Sequence, residues 1–167
     1  VAPFERKPPR WFDDPAELGG RLRGKGAWRA VDVLIRQTSR YPMAARADGS
    51  AFRNSVLAGF GGATWSADFL VAFLNASPVR FYHFMKHRDA REGMPQLKIG
   101  HLRALPCPVE PSATTEAIAG VGRTLSLRND GIRAEEQTEL DRLVSRALGL
   151  DPDAAARIEV WRAAGIR

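Results

Sequence analysis

The sequence predicts an α+β fold, in which a small sheet, mostly antiparallel or mixed, packs on helices and precedes a C-terminal helical tail. Three observations support this prediction. Residues 31–61 alternate apolar and polar side chains between turn residues, as short strands do. Residues 67–76 are apolar on every side, which is typical of a buried helix. From about residue 114, apolar side chains recur at helical spacing.

The sheet is expected to contain two or three antiparallel strands joined by tight turns, within residues 31–38, 41–47 and 51–61. Val31, Val33 and Ile35 fall on one face of the first strand, because side chains alternate along a strand. Asp48-Gly49 supplies a turn between the second and third segments.

A second helix is expected to follow the buried one. Ser77 is the predicted N-cap and Pro78 the first helical residue, a combination that favours a helix start, and the helix is predicted to run to about Arg91. Residues 96–109 are then expected to form a short strand, a turn at Gly100 and an extended Pro-x-Pro exit.

The last third of the chain is expected to form three helices. The first two cover residues 114–129 and 133–150, Gly149 fits a helix C-cap, and Asp151-Pro152 caps and starts the third. Their apolar anchors are Ile118, Val121 and Leu125 in the first, Leu140, Leu143, Val144, Ala147 and Leu148 in the second, and Ile158 and Trp161 in the third.

Composition divides the chain into three parts of one domain: an irregular lead-in of residues 1–30, an α+β recognition core of residues 31–110 and a helical tail of residues 111–167. The hydrophobic fraction of 44% predicts a packed core. Because the chain begins with Val1 rather than Met, we expect it to be a fragment of a longer protein.

Composition also excludes several classes of protein. No apolar run approaches the roughly 18–20 residues of a membrane span, and the N-terminal residues lack the apolar segment of a signal peptide. The single cysteine, Cys107, excludes an internal disulfide and a cysteine metal cluster. We therefore expect no membrane partner and a cytoplasmic location, associated with the nucleoid if the chain binds DNA.

Positive charge is concentrated in the first two thirds of the chain. The net charge is +6, from 21 Arg and 4 Lys against 19 acidic residues. Residues 1–110 hold 17 basic and 10 acidic side chains, a net +7, whereas residues 111–167 hold 8 and 9, a net −1. A GC-rich genome would also raise the ratio of Arg to Lys, but the distribution of charge favours contact between the front part and a nucleic acid.

One face of the helix predicted after Ser77 is basic. At about 100° per residue, four basic side chains fall together: Arg80, His83, His87 and Arg91. Four other side chains lie broadly opposite: Val79, Phe81, Tyr82 and Met85. A lone basic stripe is more often a solvated surface, but Phe84 near this face and polar side chains nearby favour a stripe that follows a DNA backbone.

Two sets of side chains are candidate contacts to double-stranded DNA. Arginine suits bidentate contact to phosphate, Arg and Lys read guanine, and Asn and Gln read adenine. The backbone candidates are Arg36, Arg40, Arg53, Arg80, His83, His87, Arg88, Arg91 and Arg103. The base-reading candidates are Gln37, Asn54, Gln96 and Lys98.

No catalytic residue, cofactor site or metal site is evident in the sequence. His83 and His87 have the i, i+4 spacing of a zinc pair, but no third ligand is evident and the flanking arginines would repel a cation. Asp89, Glu92 and Lys98 have the wrong spacing for a metal-dependent nuclease. The Asn-Pro-Pro-Tyr type of motif that holds a flipped adenine is also missing. We therefore expect this fragment not to be an enzyme by itself.

Four motifs follow one another along the chain, with a glycine-containing loop between the second and third: LIRQTSRYPMAARAD (34–48), FLNASPVRFYHF (73–84), HLRALPCPV (101–109) and TELDRLVSRALGL (138–150). In this order they resemble the C-terminal specificity (target recognition) domain of TaqI-like adenine-N6 DNA methyltransferases and related fused type II restriction–modification enzymes. The resemblance covers about residues 30–160. Ala76 departs from it, because the family often has Ser after this Leu-Asn pair.

The resemblance implies a bacterial parent protein that binds S-adenosylmethionine in an upstream methyltransferase domain, with or without a fused endonuclease. It implies that this part grips the duplex and reads its sequence while the catalytic domain flips out an adenine. It does not indicate which residues read bases, because recognition domains differ with their target sequence.

Two alternatives remain open. The recognition domain of a type I restriction specificity subunit has a similar helix-to-Pro-x-Pro arrangement, but it continues into long heptad helices, whereas residues 133–161 predict two short capped helices. A protein-interaction module without DNA contact would instead use the apolar faces of the tail.

Overall fold

The computed structural model describes residues 28–50, 52, 55–87, 95–128 and 131–165, so most of the expected lead-in lies outside the described residues. The described part contains a three-stranded antiparallel sheet and six helices, which confirms the α+β prediction. The strands are β1 (Val33–Arg36), β2 (Ala44–Arg46) and β3 (Val56–Gly59). The helices are α1 (Ala67–Asn75), α2 (Ser77–Lys86), α3 (Ile99–Arg103), α4 (Ala113–Leu127), α5 (Ala134–Ala147) and α6 (Pro152–Ala163).

β1 is the central strand of the sheet, and β2 and β3 pair with its two edges in antiparallel fashion. Val33 and Ile35 are buried on one face of β1, as the alternation of side chains predicts. The predicted turn is also present, because Gly49 has a φ of 82° and the Ser50 amide donates to Asp48 Oδ1 at 2.9 Å.

α1 lies between the sheet and α4, and this position explains why all of its faces are apolar. Ser66 caps the helix by accepting a hydrogen bond from the Phe69 amide at 3.2 Å. The core between α1 and the sheet includes Val33, Ile35, Val71 and Leu74. The core between α1 and the other helices includes Phe69, Phe73, Ile118 and Leu140. The buried helix predicted over residues 67–76 is therefore confirmed.

The three tail helices form where the sequence predicts them. Asp151 caps α6 by accepting a backbone N–H at 2.7 Å, and Gly149 ends the preceding turn with a φ of 64°. Trp161 packs edge-on against Tyr41 and Phe81, at centroid distances of 5.8 and 5.6 Å, and so docks α6 against α2. The buried tail anchors are Ile118, Leu125, Leu140, Leu143, Val144 and Ile158. None of the described helices is long and apolar enough to span a membrane.

α2 departs from its predicted boundaries at both ends. Ser77 is its first helical residue rather than its N-cap, and the Ser77 amide donates to Asp141 Oδ1 at 2.7 Å. A carboxylate of α5 therefore takes the role expected of the serine side chain, which is favourable because negative charge stabilises a helix N-terminus. The helix ends at Lys86, with His87 as its C-cap, rather than near Arg91.

Residues 96–109 do not form the expected strand. A single isolated bridge joins them to the loop between β1 and β2, and helix α3 covers the predicted turn at Gly100. Leu97 and Leu102 both pack on the core next to the sheet, Leu102 from within α3.

Candidate nucleic-acid interface

Three segments of the chain are in contact beside the sheet, and we name them together the basic junction: residues 36–40, residues 83–87 and residues 96–103. Three contacts join them: the Leu97 amide donates to the Gln37 carbonyl at 2.8 Å, His83 Nδ1 lies 3.2 Å from the Arg40 carbonyl oxygen, and the His87 and His101 rings stack with centroids 3.9 Å apart. The junction therefore assembles side chains that are far apart in the sequence.

The basic junction carries an unbalanced positive charge. Its three ranges contain no Asp or Glu, and its five exposed basic residues are Arg36, Arg40, Lys86, Lys98 and Arg103. Within the described part of the chain, Arg36, Lys98 and Arg103 form no ion pair. These three uncompensated charges favour contact with a polyanion.

Arginines of the tail are, in contrast, paired with acids. The pairs are Arg128 with Glu136 at 2.7 Å, Arg142 with Glu139 at 2.6 Å and Arg162 with Asp141 at 3.3 Å. Hydrogen bonds from the Arg128 side chain and the Arg133 backbone lower the pKa of Glu136 to about 2. These tail arginines thus differ in pairing from Arg36, Lys98 and Arg103 of the basic junction.

The base-reading candidates at the junction differ in exposure. Gln96 and Lys98 are exposed, on the segment that leads into α3. Gln37 is half-buried, and its backbone is fixed on both sides, because its amide donates to the Ser55 carbonyl at 2.9 Å and its carbonyl accepts from the Leu97 amide. Gln96 and Lys98 are therefore the better placed of the three to meet a ligand.

Arg80 does not lie on an exposed basic stripe, and this part of the prediction is wrong. Its Nη2 donates to Asn75 Oδ1 at 2.6 Å, its Nε donates to the Pro42 carbonyl at 3.0 Å, and its guanidinium lies 5.4 Å from the centre of the Tyr41 ring. Burial lowers the pKa of Arg80 to about 10. The loop between β1 and β2 covers this face of α2, which helical periodicity alone does not reveal.

The same loop covers His83, so the prediction of an exposed histidine here is also wrong. His83 is only 2% exposed. The pKa of His83 is lowered to about 4. Burial is the largest cause, the hydrogen bond with the Arg40 carbonyl opposes it, and the neighbouring imidazoles of His87 and His101 add to the lowering. The ring is therefore neutral at pH 7.

His101 is a member of this site that the sequence did not indicate. Its ring is parallel to that of His87, with an interplanar angle of 5°, and lies 5.8 Å from that of His83. We name these three residues the histidine cluster. Fourteen positions separate His87 from His101, so helical spacing carries no signal for the contact. In the described ranges, no group of three ligating side chains has the arrangement of a metal site.

Two other residues of α2 also differ from their predicted environments. Phe84, predicted near the basic face, packs against Trp161 at a centroid distance of 5.8 Å. Met85, predicted on the apolar face, is 62% exposed. The remaining predicted DNA contacts lie outside the described residues: Arg53, Asn54, Arg88 and Arg91. The acids Asp89 and Glu92 also lie outside them.

Comparison with known proteins identifies no family. No protein-family model matches the chain, and no curated protein matches it significantly. The resemblance of the four ordered motifs therefore stays a prediction. The geometry and charge of the basic junction are the features of the chain that bear on its function.

Proposed function

We propose that this chain binds double-stranded DNA through the basic junction. The observation that carries the proposal is the convergence of five exposed basic residues on three contacting segments that contain no acid. Cationic side chains that neutralise phosphates release condensed counterions, and this release drives binding. The arginines paired with acids on α4–α6 have no comparable excess charge to offer.

Sequence reading is assigned to the segment before α3. Gln96 and Lys98 are exposed next to the basic side chains, and they have the chemistry to read adenine and guanine, respectively. Contacts from Arg36, Arg40 and Arg103 to phosphates would hold the protein in register, since backbone contacts position a protein and base contacts specify its site.

The proposed parent activity is adenine-N6 methylation of DNA, within a methyltransferase or a restriction–modification enzyme. The ordered family motifs support this finer proposal, and they fall on β1, on the joint between α1 and α2, on α3 with its exit and on α5. S-adenosylmethionine would be bound by the methyltransferase domain of the same polypeptide. The chain would then supply the grip on the duplex that base flipping requires.

The tail favours this proposal over the two alternatives. α5 and α6 are 14 and 12 residues long and are separated at Gly149, unlike the long heptad helices of a type I specificity subunit. The apolar stripes that a protein-interaction module would present are buried against the rest of the chain, at Ile118, Leu125, Leu140, Leu143 and Val144.

Equilibrium binding to a labelled random-sequence duplex of about 30 base pairs tests DNA binding, at salt concentrations from about 50 to 200 mM. We expect the affinity to fall steeply and log-linearly as salt increases, and selection from a random duplex pool to enrich a motif that contains adenine. Affinity that is flat across this salt range would contradict phosphate binding. Binding without any enriched motif would contradict sequence recognition.

The methyltransferase proposal has a separate test. The polypeptide that contains this chain is incubated with duplex DNA and S-adenosylmethionine carrying a labelled methyl group. We expect the label to appear on adenine N6 within the selected motif. Transfer to cytosine, or no transfer by a polypeptide that binds the motif, would contradict this assignment and leave DNA binding intact.

A further inference from the structure

We propose that the histidine cluster is a proton-controlled clasp, which holds α3 and residues 36–40 against α2 at neutral pH and releases them as the solution acidifies. The cluster contains all three histidines of the chain, and its ring centroids lie 3.9, 5.2 and 5.8 Å apart. The inference goes beyond DNA binding and does not rest on it.

Three ring nitrogens in the cluster are buried without a hydrogen-bond partner among the described residues: His83 Nε2, His87 Nε2 and His101 Nδ1. His83 Nδ1 faces the Arg40 carbonyl oxygen, so this nitrogen carries the proton of the neutral ring and Nε2 is a bare acceptor. Unpartnered buried polar atoms are rare in folded proteins, and three at one place indicate a specific role.

The charged groups around the cluster, within the described ranges, are all basic. Lys86 precedes His87 on α2, Arg40 carries the carbonyl that faces His83, and Lys98 and Arg103 flank His101 along the chain. Burial lowers the pKa of both His83 and His87, and no described carboxylate acts on either ring to raise it. Protonation of His83 or His87 therefore adds a cation next to other basic groups, with no described carboxylate to balance it.

Separation of the rings relieves this repulsion by exposing them to water. The stack of His87 on His101 joins α2 to α3, and the contact between His83 and the Arg40 carbonyl joins α2 to residues 36–40. Opening the cluster thus detaches both segments from α2. No histidine lies in α1, α4 or α5, so the main core does not respond to the same protonation.

A metal ion is the other ligand that three imidazoles could take. The His87 and His101 rings are parallel, so their in-plane lone pairs cannot converge on one ion. This agrees with the lack of a metal-site arrangement among the described residues. The geometry thus favours proton binding over metal binding.

Side-chain NMR of the histidines in the chelator-treated wild-type chain gives the first test. We expect both His83 and His87 to titrate below about 6.5, the ordinary pKa of a histidine side chain. Titration of either ring at or above that value would overturn the proposal. Micromolar Zn²⁺ that shifts all three ring signals at pH 7 would also overturn it, by making the cluster a metal centre.

Amide hydrogen exchange from pH 7.5 to 5.5, corrected for intrinsic rates, gives the second test. If one buried histidine regains an ordinary pKa when the cluster opens, the equilibrium constant for opening rises about tenfold between pH 7.5 and 5.5. The protection factors of the amides in residues 96–103 should therefore fall by at least about tenfold. The triple variant His83→Gln/His87→Gln/His101→Gln should reduce the loss to below about threefold, whereas Ile99→Ala, at an exposed position of the same segment, should retain it. An equal loss in the triple variant, or a parallel loss in α4 and α5, would overturn the proposal.

Discussion

Asn75 is a fully buried amide that joins the end of α1 to β2 and α2. Its Nδ2 donates to the carbonyls of Ala44 and Val71 at 2.7 and 2.8 Å. Its Oδ1 accepts from the Ala44 amide at 3.1 Å and from Arg80 at 2.6 Å. Arg80 extends this network to the Pro42 carbonyl, and so fixes the loop that leads from the basic junction into β2. A buried network of this kind stabilises only while every member has its partner.

Removing the donors of Arg80 should therefore lower stability. We expect Arg80→Met, which keeps the length of the side chain, to lower the free energy of unfolding by about 2–4 kcal/mol, because it leaves the Asn75 and Pro42 oxygens without this donor. Urea denaturation measures the change. Arg157→Met, at an exposed position on α6, is the control and should change stability by less than about 0.5 kcal/mol. Equal stability of the two variants would contradict the structural role of Arg80.

His83 makes stability depend on pH. Its pKa is lowered to about 4 in the folded chain, so the unfolded chain binds the proton more tightly. The contribution of the neutral, buried His83 ring to the free energy of unfolding is therefore complete above the ordinary pKa of 6.5, and it is lost as the pH falls toward 4. Between pH 7 and 5 we expect a loss of about 2 kcal/mol from this residue.

Chemical denaturation of the wild-type chain and of His83→Gln at both pH values measures this loss. The difference between the two chains isolates His83, because Asp141, whose pKa is raised by burial, is present in both. If the difference in unfolding free energy between the wild-type chain and the variant were the same at pH 5 and pH 7, His83 would not be buried in its neutral form.

At the scale of elements, α1 and α4 are in close contact at Gly122. A Cβ at this position would collide with the carbonyl oxygen of Asp68 and would lie 3.1 Å from the Ala72 side chain. The absence of a side chain at Gly122 therefore allows the two helices to approach. This contact fixes α4 against the core helix that also supports the sheet.

Gly122→Ala should thus be destabilising, although alanine favours helix. We expect a loss of about 1–3 kcal/mol in thermal or urea denaturation, because overpacking displaces the backbone of α1. Gly120→Ala, two positions earlier in the same helix, meets no atom within 4 Å and should stabilise the chain by about 0.5–1 kcal/mol. If both substitutions changed the stability in the same direction, the close approach of α1 and α4 at Gly122 would be contradicted.

The segment before α3 should determine sequence preference. Gln96→Ala and Lys98→Ala each remove an exposed polar side chain, so we expect each to change the ranking of duplex sequences by about 1–3 kcal/mol at one base position. Competition binding with a panel of single-base variants of the selected motif measures the change. Arg103→Ala is the control and should weaken binding to all panel members alike. Unchanged ranking in both variants would remove this segment from base reading.

Local signals in the sequence predicted the elements that depend on local chemistry. The apolar faces of α1, the Asp151-Pro152 start of α6 and Gly149 all lie where the pattern indicates. The errors arise from tertiary contacts. Asp141 replaces Ser77 as the capping group, and α3, whose Leu102 packs on the core, covers the turn that was expected at Gly100.

Within the candidate site, the sequence correctly predicted only the exposure of charged side chains that no other segment covers. Arg36, Arg40, Lys98 and Arg103 are exposed as expected. Arg80 and His83 lie on the predicted helix face, but the loop between β1 and β2 covers that face. The position of His101 depends on a contact between elements, so no spacing rule within one helix could find it.

At the scale of the whole molecule, charge and pairing divide the chain. The basic residues of the junction are exposed without acids in their segments, while Arg128, Arg142 and Arg162 of the tail are held by carboxylates. The tail buries its apolar stripes and so serves as a support for α1 and α2. The two halves therefore differ in character: the front half exposes the basic residues of the proposed DNA interface, and the tail packs its apolar side chains against the core.

The salt dependence of duplex binding by two charge-matched variants tests this account most directly. The junction variant Arg36→Ala/Lys98→Ala/Arg103→Ala and the tail variant Arg123→Ala/Arg146→Ala/Arg157→Ala each remove three positive charges from exposed positions. We expect the affinity of the junction variant at low salt to fall more than about tenfold. The slope of log K against log salt should become shallower by about 0.9 for each phosphate that the junction variant no longer neutralises, while the tail variant keeps the wild-type slope. Identical slopes for the two variants would contradict DNA binding by the basic junction.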